Sequence, residues 1–215
     1  MPGVELIAAA AMTLGGLPAP AAPADHCPIH IVAVDERTTK AYGPLPWPRG
    51  RHAKMVKLLS DAGARAIALR FHFRDSRSGA DDRELVREVK NSGRVFLEMG
   101  RAQAPEGWQR SDEWAARSAL ILNGKPPPRL FTFEHAKLPF ERLSASAAGV
   151  GCIDVIMKDK RLRGIPLLVS YRNRVFPSLG LRLILHIAGM DRKTLTIEDG
   201  KFLLLGDSRL TLDSY

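Results

Sequence analysis

Two kinds of apolar pattern alternate along the first hundred residues of the chain: short continuous runs and helical spacing. Residues 29–36 (IHIVAVDE), 66–73 (AIALRFHF) and 94–100 (RVFLEMG) are short apolar runs, as expected of buried strands, and we expect the first to be a central strand. Between them, residues 48–62 and 79–93 carry apolar side chains at helical spacing. The order strand, helix, strand, helix, strand predicts parallel strands joined by crossover helices.

The two predicted helices have recognisable ends and faces. The apolar face of the first helix is predicted to consist of Met55, Leu58, Leu59 and Ala62. The second is predicted to bury Leu85, Val86 and Val89. Gly63 and Gly93 follow the two helices, where glycine commonly ends a helix. Residues 37–50, which are dense in turn formers, are predicted to form a loop.

The second half of the chain is richer in short strands. Residues 101–128 form a long polar loop, 165–178 two strands with a tight turn at Arg172 and Asn173, and 178–188 an amphipathic helix. A glycine-rich turn and a strand are predicted within 144–157, and short strands in the tail. We therefore predict an α/β fold: a mixed, largely parallel central sheet flanked by helices, with a C-terminal β-rich extension.

Residues 1–26 differ in composition from the rest of the chain. The apolar stretch LIAAAAMTLGGL is too short to span a bilayer, and the small residues after it resemble a signal-peptide processing site. A signal peptide usually begins with basic residues, whereas the stretch before the apolar one holds Glu5 and no basic residue. A truncated membrane helix and a disordered leader are therefore alternatives. We predict a signal-peptide-like or disordered leader over 1–26 and a single domain over 27–215.

The net charge of +9 favours an acidic partner, such as nucleic acid, anionic lipid or an anionic ligand, although it also suits a basic solvated surface. The densest basic cluster is KDKRLRG, residues 158–164. Nucleic-acid binding would need aromatic side chains beside this charge, and only Tyr171 is near. We therefore expect no nucleic-acid partner, and a face that is solvated or rests on anionic lipid headgroups.

Known catalytic and cofactor motifs are missing from the sequence. It has no HExxH, GxSxG, GxxxxGK[ST] or GxGxxG pattern, which predicts no catalytic residue, no cofactor and no metal. Cys27 and Cys152 are either buried thiols or, if the chain is exported, one disulfide. Asp35, at the carboxyl end of the first strand, is either a ligand-binding carboxylate or a turn cap, whereas Asp81 and Asp82 are predicted to cap a helix.

Several motifs occur together in the order of a known family. They are IVAVDERTTKAYGPLPWPRGRHAKMVKLLSDAGARAIAL, DDRELVREVKNSGRVFL, AAGVGCIDVIMKDKRLRGIPLLV and YRNRVFPSLGLRLIL. Over roughly residues 29–187, the chain resembles the CHASE domain of the second type, a bacterial extracellular sensory domain.

The resemblance implies a sensor and not an enzyme. Members of the family lie outside the cytoplasmic membrane, and membrane helices and a kinase, cyclase or related output domain follow them. By analogy we expect a periplasmic or extracellular domain, tethered to the inner membrane and truncated at its C-terminus. Its partners would be an unknown small-molecule or protein signal, the membrane helices and output domain, and a second copy in a homodimer.

The chain departs from the family at the second strand. Where the family carries an acid in a pattern like FDxxF, this chain reads LRFHF, with Arg70 at that position. An ion pair of Asp35 with Arg70 would hold the carboxylate in place, which favours an anionic ligand over a metal.

The Pro-Trp-Pro-Arg stretch at residues 46–49 is predicted to be a rigid corner from the strand to the first helix. Arg49 would then point toward Asp35 or a bound anion. We predict that one ligand pocket is lined by Asp35, Trp47, Arg49, His52 and Arg70, the alternative being a purely structural corner.

Two other functions remain open from the residues alone. One is a small α/β hydrolase or transferase with its site at the same sheet edge, which would need a nucleophile–base pair that the sequence does not display. The other is a basic nucleic-acid-binding module.

Overall fold

The computed structural model describes residues 4–9, 29–77, 79–103, 117–127, 129–190 and 194–212. Within them, five helices form: α1 (Glu36–Tyr42), α2 (Arg49–Asp61), α3 (Ala80–Ser92), α4 (Glu141–Ser146) and α5 (Leu179–Ile187). The strands of the N-terminal half are β1 (Val4–Ala9), β2 (Ile29–Val34), β3 (Ala66–Leu69) and β4 (Val95–Arg101). Those that follow, up to the fifth helix, are β5 (Leu122–Asn123), β6 (Phe131–Phe133), β7 (Ala136–Lys137), β8 (Gly149–Cys152), β9 (Ile156–Lys158), β10 (Arg161–Gly164), β11 (Leu168–Tyr171) and β12 (Arg174–Pro177). The tail forms β13 (Leu195–Glu198), β14 (Phe202–Leu205) and β15 (Ser208–Thr211).

The main sheet has six strands in the order β2-β1-β3-β4-β7, with β8 also paired to β4. β4 runs parallel to β3 and to β8, whereas β1 is antiparallel to both β2 and β3, and β7 is antiparallel to β4. The fold is therefore mixed α/β, but a largely parallel central sheet is not confirmed, because most strand pairs are antiparallel.

The first predicted strand lies at the edge of this sheet and not at its centre. β1 pairs between β2 and β3, so β2 has one neighbour, and of its side chains only that of Val34 is buried. The residues after it form helix α1 where a loop was predicted. The first prediction was wrong because an apolar β-branched run does not reveal which strand will pair beside it. The loop prediction was wrong over residues 37–42, where a helix capped by the Asp35 side chain forms.

Helix α2 forms where predicted but buries a different face. His52, Ala53 and Val56 are buried, together with Arg49, whereas Leu58 is 68% exposed. Met55 and Leu59 pack at the margin of the core. The spacing of apolar residues alone could not predict that two polar side chains, those of Arg49 and His52, would lie on the buried face of this helix.

Helix α3 confirms its prediction more closely. Leu85 and Val89 are buried and Val86 packs against the same core, while Gly93 ends the helix in the left-handed conformation, with φ +63°. This core lies between α2, α3 and one face of β3, β4 and β8.

Three smaller sheets complete the described C-terminal part, and the smallest is the antiparallel pair of β9 and β10. β11 pairs antiparallel with β12 through a turn at Arg172 and Asn173, as predicted, and parallel with β6. β13, β14 and β15 form the predicted β-rich extension, which gains β5 as a parallel neighbour.

The glycine-rich segment before β9 positions helix α5 against the sheet. A Cβ atom at Gly151 would lie 2.5 Å from the Cα of Leu179, so only glycine permits this approach of helix to strand. Ser178 caps the helix, its Oγ accepting a hydrogen bond from Leu181 N at 3.1 Å. The glycines of this segment are thus explained by packing.

The backbone of residues 4–9 forms a strand in the main sheet, whereas the rest of the predicted leader lies outside the described residues. Half of the predicted loop at 101–128 also lies outside them, and the described half contains the short strand β5. The domain boundary at residue 27 stays a prediction. Among the described helices, none combines the length and the apolar character that crossing a membrane requires.

Candidate functional site at the carboxyl edge of the sheet

The carboxyl ends of β2, β3, β4 and β8 meet at one edge of the main sheet. β1 is antiparallel to both β2 and β3, so β2 runs in the same direction as β3, β4 and β8. Asp35 follows β2, Arg70 follows β3, Asp154 follows β8, and Glu98 lies within β4. Ligands of α/β sheets bind at such an edge.

Glu98 is the buried carboxylate of this edge, with 5% of the residue exposed. It lies one residue beyond Leu97, which pairs with Leu69 at the end of β3. Burial raises the pKa of Glu98 to about 7, against the opposing effect of the Arg70 charge. The side chain therefore changes its charge near neutral pH.

Two basic side chains face the two oxygens of Glu98. The Nδ1 of His72 lies 2.6 Å from Oε1, and the Nε of Arg70 lies 3.8 Å from Oε2. The His72 side chain is 64% exposed, so it links the buried carboxylate to solvent. At 2.6 Å one proton is shared in a hydrogen bond, donated either by the imidazole or by the carboxylic acid.

Asp154 and Lys137 complete the charged surroundings of Glu98. The negative charge of Asp154 adds to the rise of the Glu98 pKa, and the positive charge of Lys137 opposes it. Asp154 is fixed by the backbone N–H of Arg101, which donates to Oδ2 at 2.7 Å. A recess of about 10 Å³ adjoins Glu98, room for roughly one water molecule.

The thiol of Cys152 lies near this edge but is not poised as a nucleophile. It is a free, buried thiol whose Sγ lies 3.6 Å from Oδ2 of Asp154. Burial raises its pKa to about 12, so it stays protonated at neutral pH. Cys27 lies outside the described residues, and the predicted disulfide stays a prediction.

Asp35 is a helix cap in the structure. Its Oδ1 accepts hydrogen bonds from the backbone N and the hydroxyl of Thr38, at 2.8 and 2.7 Å, at the start of α1. These hydrogen bonds, the backbone one first, lower the pKa of this exposed carboxyl. The ion pair recorded for Arg70 at this edge is with Glu98 and not with Asp35.

Trp47 closes the corner that leads into α2. The ring is buried, and its Nε1 donates to the carbonyl of Gly43 at 2.8 Å. The Tyr42 ring meets it edge-on, with centroids 6.2 Å apart, and the Arg51 guanidinium lies 5.7 Å from its centroid. The predicted corner is thus present, and it packs against α1 and α2.

Arg49 pairs with Asp82, which replaces Asp35, one of the two partners predicted for it. Its Nη1 lies 2.5 Å from Oδ1 of Asp82, and its Nη2 donates to the carbonyl of Asp75. The guanidinium also lies 4.8 Å from the centroid of the Phe140 ring. Arg49 and Asp82 are both buried, so this is an ion pair inside the core.

Asp82 accepts further hydrogen bonds, from Ser76 Oγ at 3.1 Å and Arg77 N at 2.6 Å. Burial by itself would raise the pKa of Asp82, but the hydrogen bonds from Arg49, Arg77 and Ser76 outweigh it and lower the pKa. The residue predicted to cap a helix is therefore the anchor of Arg49.

His52 lies in an aromatic cluster beside this ion pair. Its ring meets Phe71 and Phe73 edge-on, with centroids 4.3 and 5.1 Å apart, and lies 6.2 Å from the ring of Trp47. Burial, with a smaller effect of the Arg49 charge, lowers the pKa of His52 to about 4. The imidazole is therefore neutral at pH 7.

The structure thus distributes the five predicted residues over three places. Trp47, Arg49 and His52 share the core beside α2, Arg70 lies with Glu98, and Asp35 caps α1. The sequence reasoning missed Glu98, His72 and Asp82. A glutamate inside the apolar run VFLEM was one available signal, and an aspartate at helical spacing from Leu85 and Val89 was the other.

The cluster of Glu98, Arg70 and His72 can respond in two ways: Glu98 can bind a proton, or Arg70 and His72 can exchange Glu98 for another anion. The two basic neighbours, Arg70 and His72, could release Glu98 to hold a small anion, and the carboxyl group can take up a proton near pH 7. Within the described part of the chain, no group of three or more His, Cys, Asp or Glu residues is arranged to hold a metal ion.

One of three comparisons with known proteins identifies a family. The sequence model of the CHASE2 domain matches residues 5–214, nearly the whole chain. The searches of curated proteins and of solved structures found no match. The chain therefore belongs to the CHASE2 domain family, a family of extracellular sensory domains.

Proposed function

We propose that the protein is the extracytoplasmic sensory domain of a bacterial signal-transduction receptor. In this proposal it lies in the periplasm or outside the cell, tethered to the inner membrane through flanking helices. Binding of a signal would regulate an attached kinase or cyclase output. Membership of a sensory family over nearly the whole chain supports the sensory role.

The observation that carries the sensing site is the buried Glu98 carboxylate, with His72 and Arg70 on its two oxygens. From the predicted ligand set the proposal keeps Arg70 and adds Glu98 and His72. The proposed site leaves out Asp35, Trp47, Arg49 and His52, because the contacts described above give each of them a structural role. A ligand-binding role for these four residues stays a prediction.

The chemical class that fits this site is a small anion, such as a carboxylate or phosphate. An anion at the mouth would pair with the exposed His72 and with Arg70, while protonation of Glu98 removes the competing negative charge. The recess holds roughly one water molecule, so a larger ligand would contact the mouth and not enter it.

A change at Glu98 has a short path to the helices. Residues 70–77 run from Arg70 and His72 to Asp75, whose carbonyl accepts from Arg49, and then to Ser76 and Arg77, which donate to Asp82. A shift of this segment would alter the contact of α2 with α3. Ligand binding at the mouth would thereby favour one of two arrangements of the helices.

Binding is tested with inorganic phosphate and acetate as probes. We expect either anion to raise the melting temperature of the purified chain, and more so at pH 6 than at pH 8 because Glu98 has a pKa of about 7. Arg70→Gln and His72→Asn should lose this stabilisation, and the exposed Arg174→Gln should keep it. Equal stabilisation of all three variants would contradict the site while leaving the family membership unaffected.

The receptor context is tested by reading the coding sequence on both sides of the chain. We expect one open frame that encodes apolar segments of about 20 residues and a kinase or cyclase domain. A frame that encodes neither would contradict the proposed regulation of an output.

A further inference from the structure

The hairpin formed by β9 and β10 stands apart from the larger sheets. Its two strands pair antiparallel with each other and form a two-stranded sheet of their own. Asp159 and Lys160 make the turn, with φ of +53° and +58°, as a two-residue hairpin turn requires. The hairpin is thus a separate protruding element whose faces can be described from its register.

The register gathers four large apolar side chains on one face. Leu162 lies opposite Met157, and Val155 shares the face of Met157 because side chains alternate along a strand. The register shifts between Leu162 and Gly164, which lies opposite Ile156. This one-residue bulge returns Ile165 to the same face.

All four side chains of this apolar face are exposed. The exposed fractions are 43% for Val155, 55% for Met157, 60% for Leu162 and 54% for Ile165. Single exposed apolar residues are common in proteins, but four on one face of a short hairpin mark an interaction surface.

The rest of the hairpin is basic. Lys158 and Arg161 pair with each other on the opposite face, Lys160 lies at the turn and Arg163 is the extra residue of the bulge. All four are exposed, and Asp159 is the single acidic residue between 155 and 165. The apolar face is thus bordered by positive charge.

We propose that this hairpin docks onto a lipid bilayer that contains anionic phospholipid. Val155, Met157, Leu162 and Ile165 would enter the boundary between headgroups and acyl chains, and the long basic side chains would reach the lipid phosphates. The net charge of +9 attracts the whole chain to such a surface.

A second copy of the chain fits this surface less well. Each copy carries a net charge of +9, and like charges oppose association. The apolar patch also offers four side chains, whereas a stable interface takes about 20–30 residues a side. The surface is independent of the proposed sensing site at Glu98, which lies on other elements.

The test is flotation of the purified chain with vesicles. Vesicles of phosphatidylglycerol and phosphatidylethanolamine in equal parts should carry the chain upward, and vesicles of phosphatidylcholine alone should carry much less. Salt at about 1 M should abolish the difference, because it shortens the Debye length to about 3 Å.

Two double variants address the two faces separately. Met157→Ser with Leu162→Ser should lower the partition coefficient at least about tenfold, because two large apolar side chains no longer enter the bilayer. Lys158→Gln with Arg161→Gln should lower it about twenty-fivefold, at roughly fivefold per charge. These side chains are exposed, so the circular dichroism spectrum should be unchanged.

Matched controls lie on the helices. Leu58→Ser removes an equally exposed apolar side chain, and Lys54→Gln with Lys90→Gln removes two exposed charges. Both should float like the wild type. The proposal is overturned if the wild type does not float with anionic vesicles, or if hairpin and control variants lose binding equally. It is also overturned if the wild type self-associates without vesicles and Met157→Ser with Leu162→Ser abolishes this, which would identify a second copy as the occupant.

Discussion

Asp82 and Glu98 each expose only 5% of the residue to solvent, yet their pKa values shift in opposite directions. The hydrogen bonds that Asp82 accepts from Arg49, Ser76 and Arg77, together with the Arg49 charge, outweigh the cost of its burial. At Glu98 the cost of burial is the largest effect, and the Arg70 charge, with its Nε 3.8 Å from the carboxylate, does not outweigh it. Low solvent exposure alone therefore does not decide the charge of a carboxyl group; the balance between the cost of burial and the donors and charges beside the group does.

The difference separates a structural region from a responsive one. The ion pair of Arg49 with Asp82, set among aromatic rings, keeps its charges throughout the neutral pH range. Glu98 is half ionised near pH 7, and an exposed histidine connects it to solvent. A site that changes state under physiological conditions is one that a signal can control with little free energy.

The largest effect is expected from breaking the Arg49–Asp82 pair. Arg49→Met leaves the Asp82 carboxylate buried without its cation, which should lower the free energy of unfolding by about 3–5 kcal/mol in urea denaturation. Lys54→Met, at an exposed position of the same helix, should change it by less than about 0.5 kcal/mol. If Asp82→Leu added to Arg49→Met restores none of the loss, the pair is not what stabilises this region.

The Glu98 region is tested by making its charge independent of pH. In the wild type, the raised pKa of Glu98 means that the folded state holds a proton that the unfolded state has already lost between pH 4.5 and about 7. This contribution to stability is fully present below pH 4.5 and is lost as the pH rises through about 7. Glu98→Gln should therefore gain about 2–3 kcal/mol relative to the wild type between pH 5 and pH 8.

Urea denaturation at a series of pH values measures this gain. Glu36→Gln, an exposed glutamate in an ion pair with Lys40, is the matched control and should show no such trend. A stability difference between Glu98→Gln and the wild type that is constant with pH would contradict the raised pKa.

His52 gives the opposite pH dependence in the aromatic region. Its pKa falls from 6.5 to about 4 on folding, so its contribution is present above pH 6.5 and is lost as the pH falls through about 4. In the Glu98→Gln background, where the opposing trend is absent, stability should fall by about 2 kcal/mol between pH 6.5 and 4.5. Adding His52→Phe should abolish that fall, and a fall of the same size after this change would assign it to another group.

The smallest effect is expected at Asp35. Removing a helix cap by Asp35→Ala should lower the melting temperature by only about 2–4 °C, and Asp35→Ser, which keeps an acceptor, should lower it less. Thermal melting measures both, and the response to phosphate should be unchanged in either variant. If both Asp35→Ala and Asp35→Ser lost the stabilisation by phosphate, Asp35 would belong to the ligand-binding site.

Much of the local structure could be predicted from spacing. Leu85 and Val89 placed α3, Ser178 placed the start of α5, and Arg172 with Asn173 placed the turn between β11 and β12. These features depend on contacts between residues near in sequence, where periodicity and turn chemistry are sufficient. Family membership also followed from the order of motifs, and the family comparison confirms it.

The candidate site was less predictable. Arg70 was predicted from its departure from the family pattern, but its recorded partner is Glu98, on a neighbouring strand, and not Asp35. Arg49 was expected to approach Asp35 and instead pairs with Asp82, 33 residues away. Both errors concern contacts between distant residues, which the packing of strands and helices decides.

By itself, the sequence determined most of the helices and short strands, the family, and the basic character of the segment around β9 and β10. Each of these depends on residues that are close together in the sequence. Only the tertiary structure decided that β2 is an edge strand, that Asp82 accepts hydrogen bonds from Arg49, Ser76 and Arg77, and that Glu98 is buried beside Arg70 and His72. The physical reason is that the charge state of a buried group depends on the donors and the low-polarity surroundings brought to it by folding, and these come from other parts of the chain.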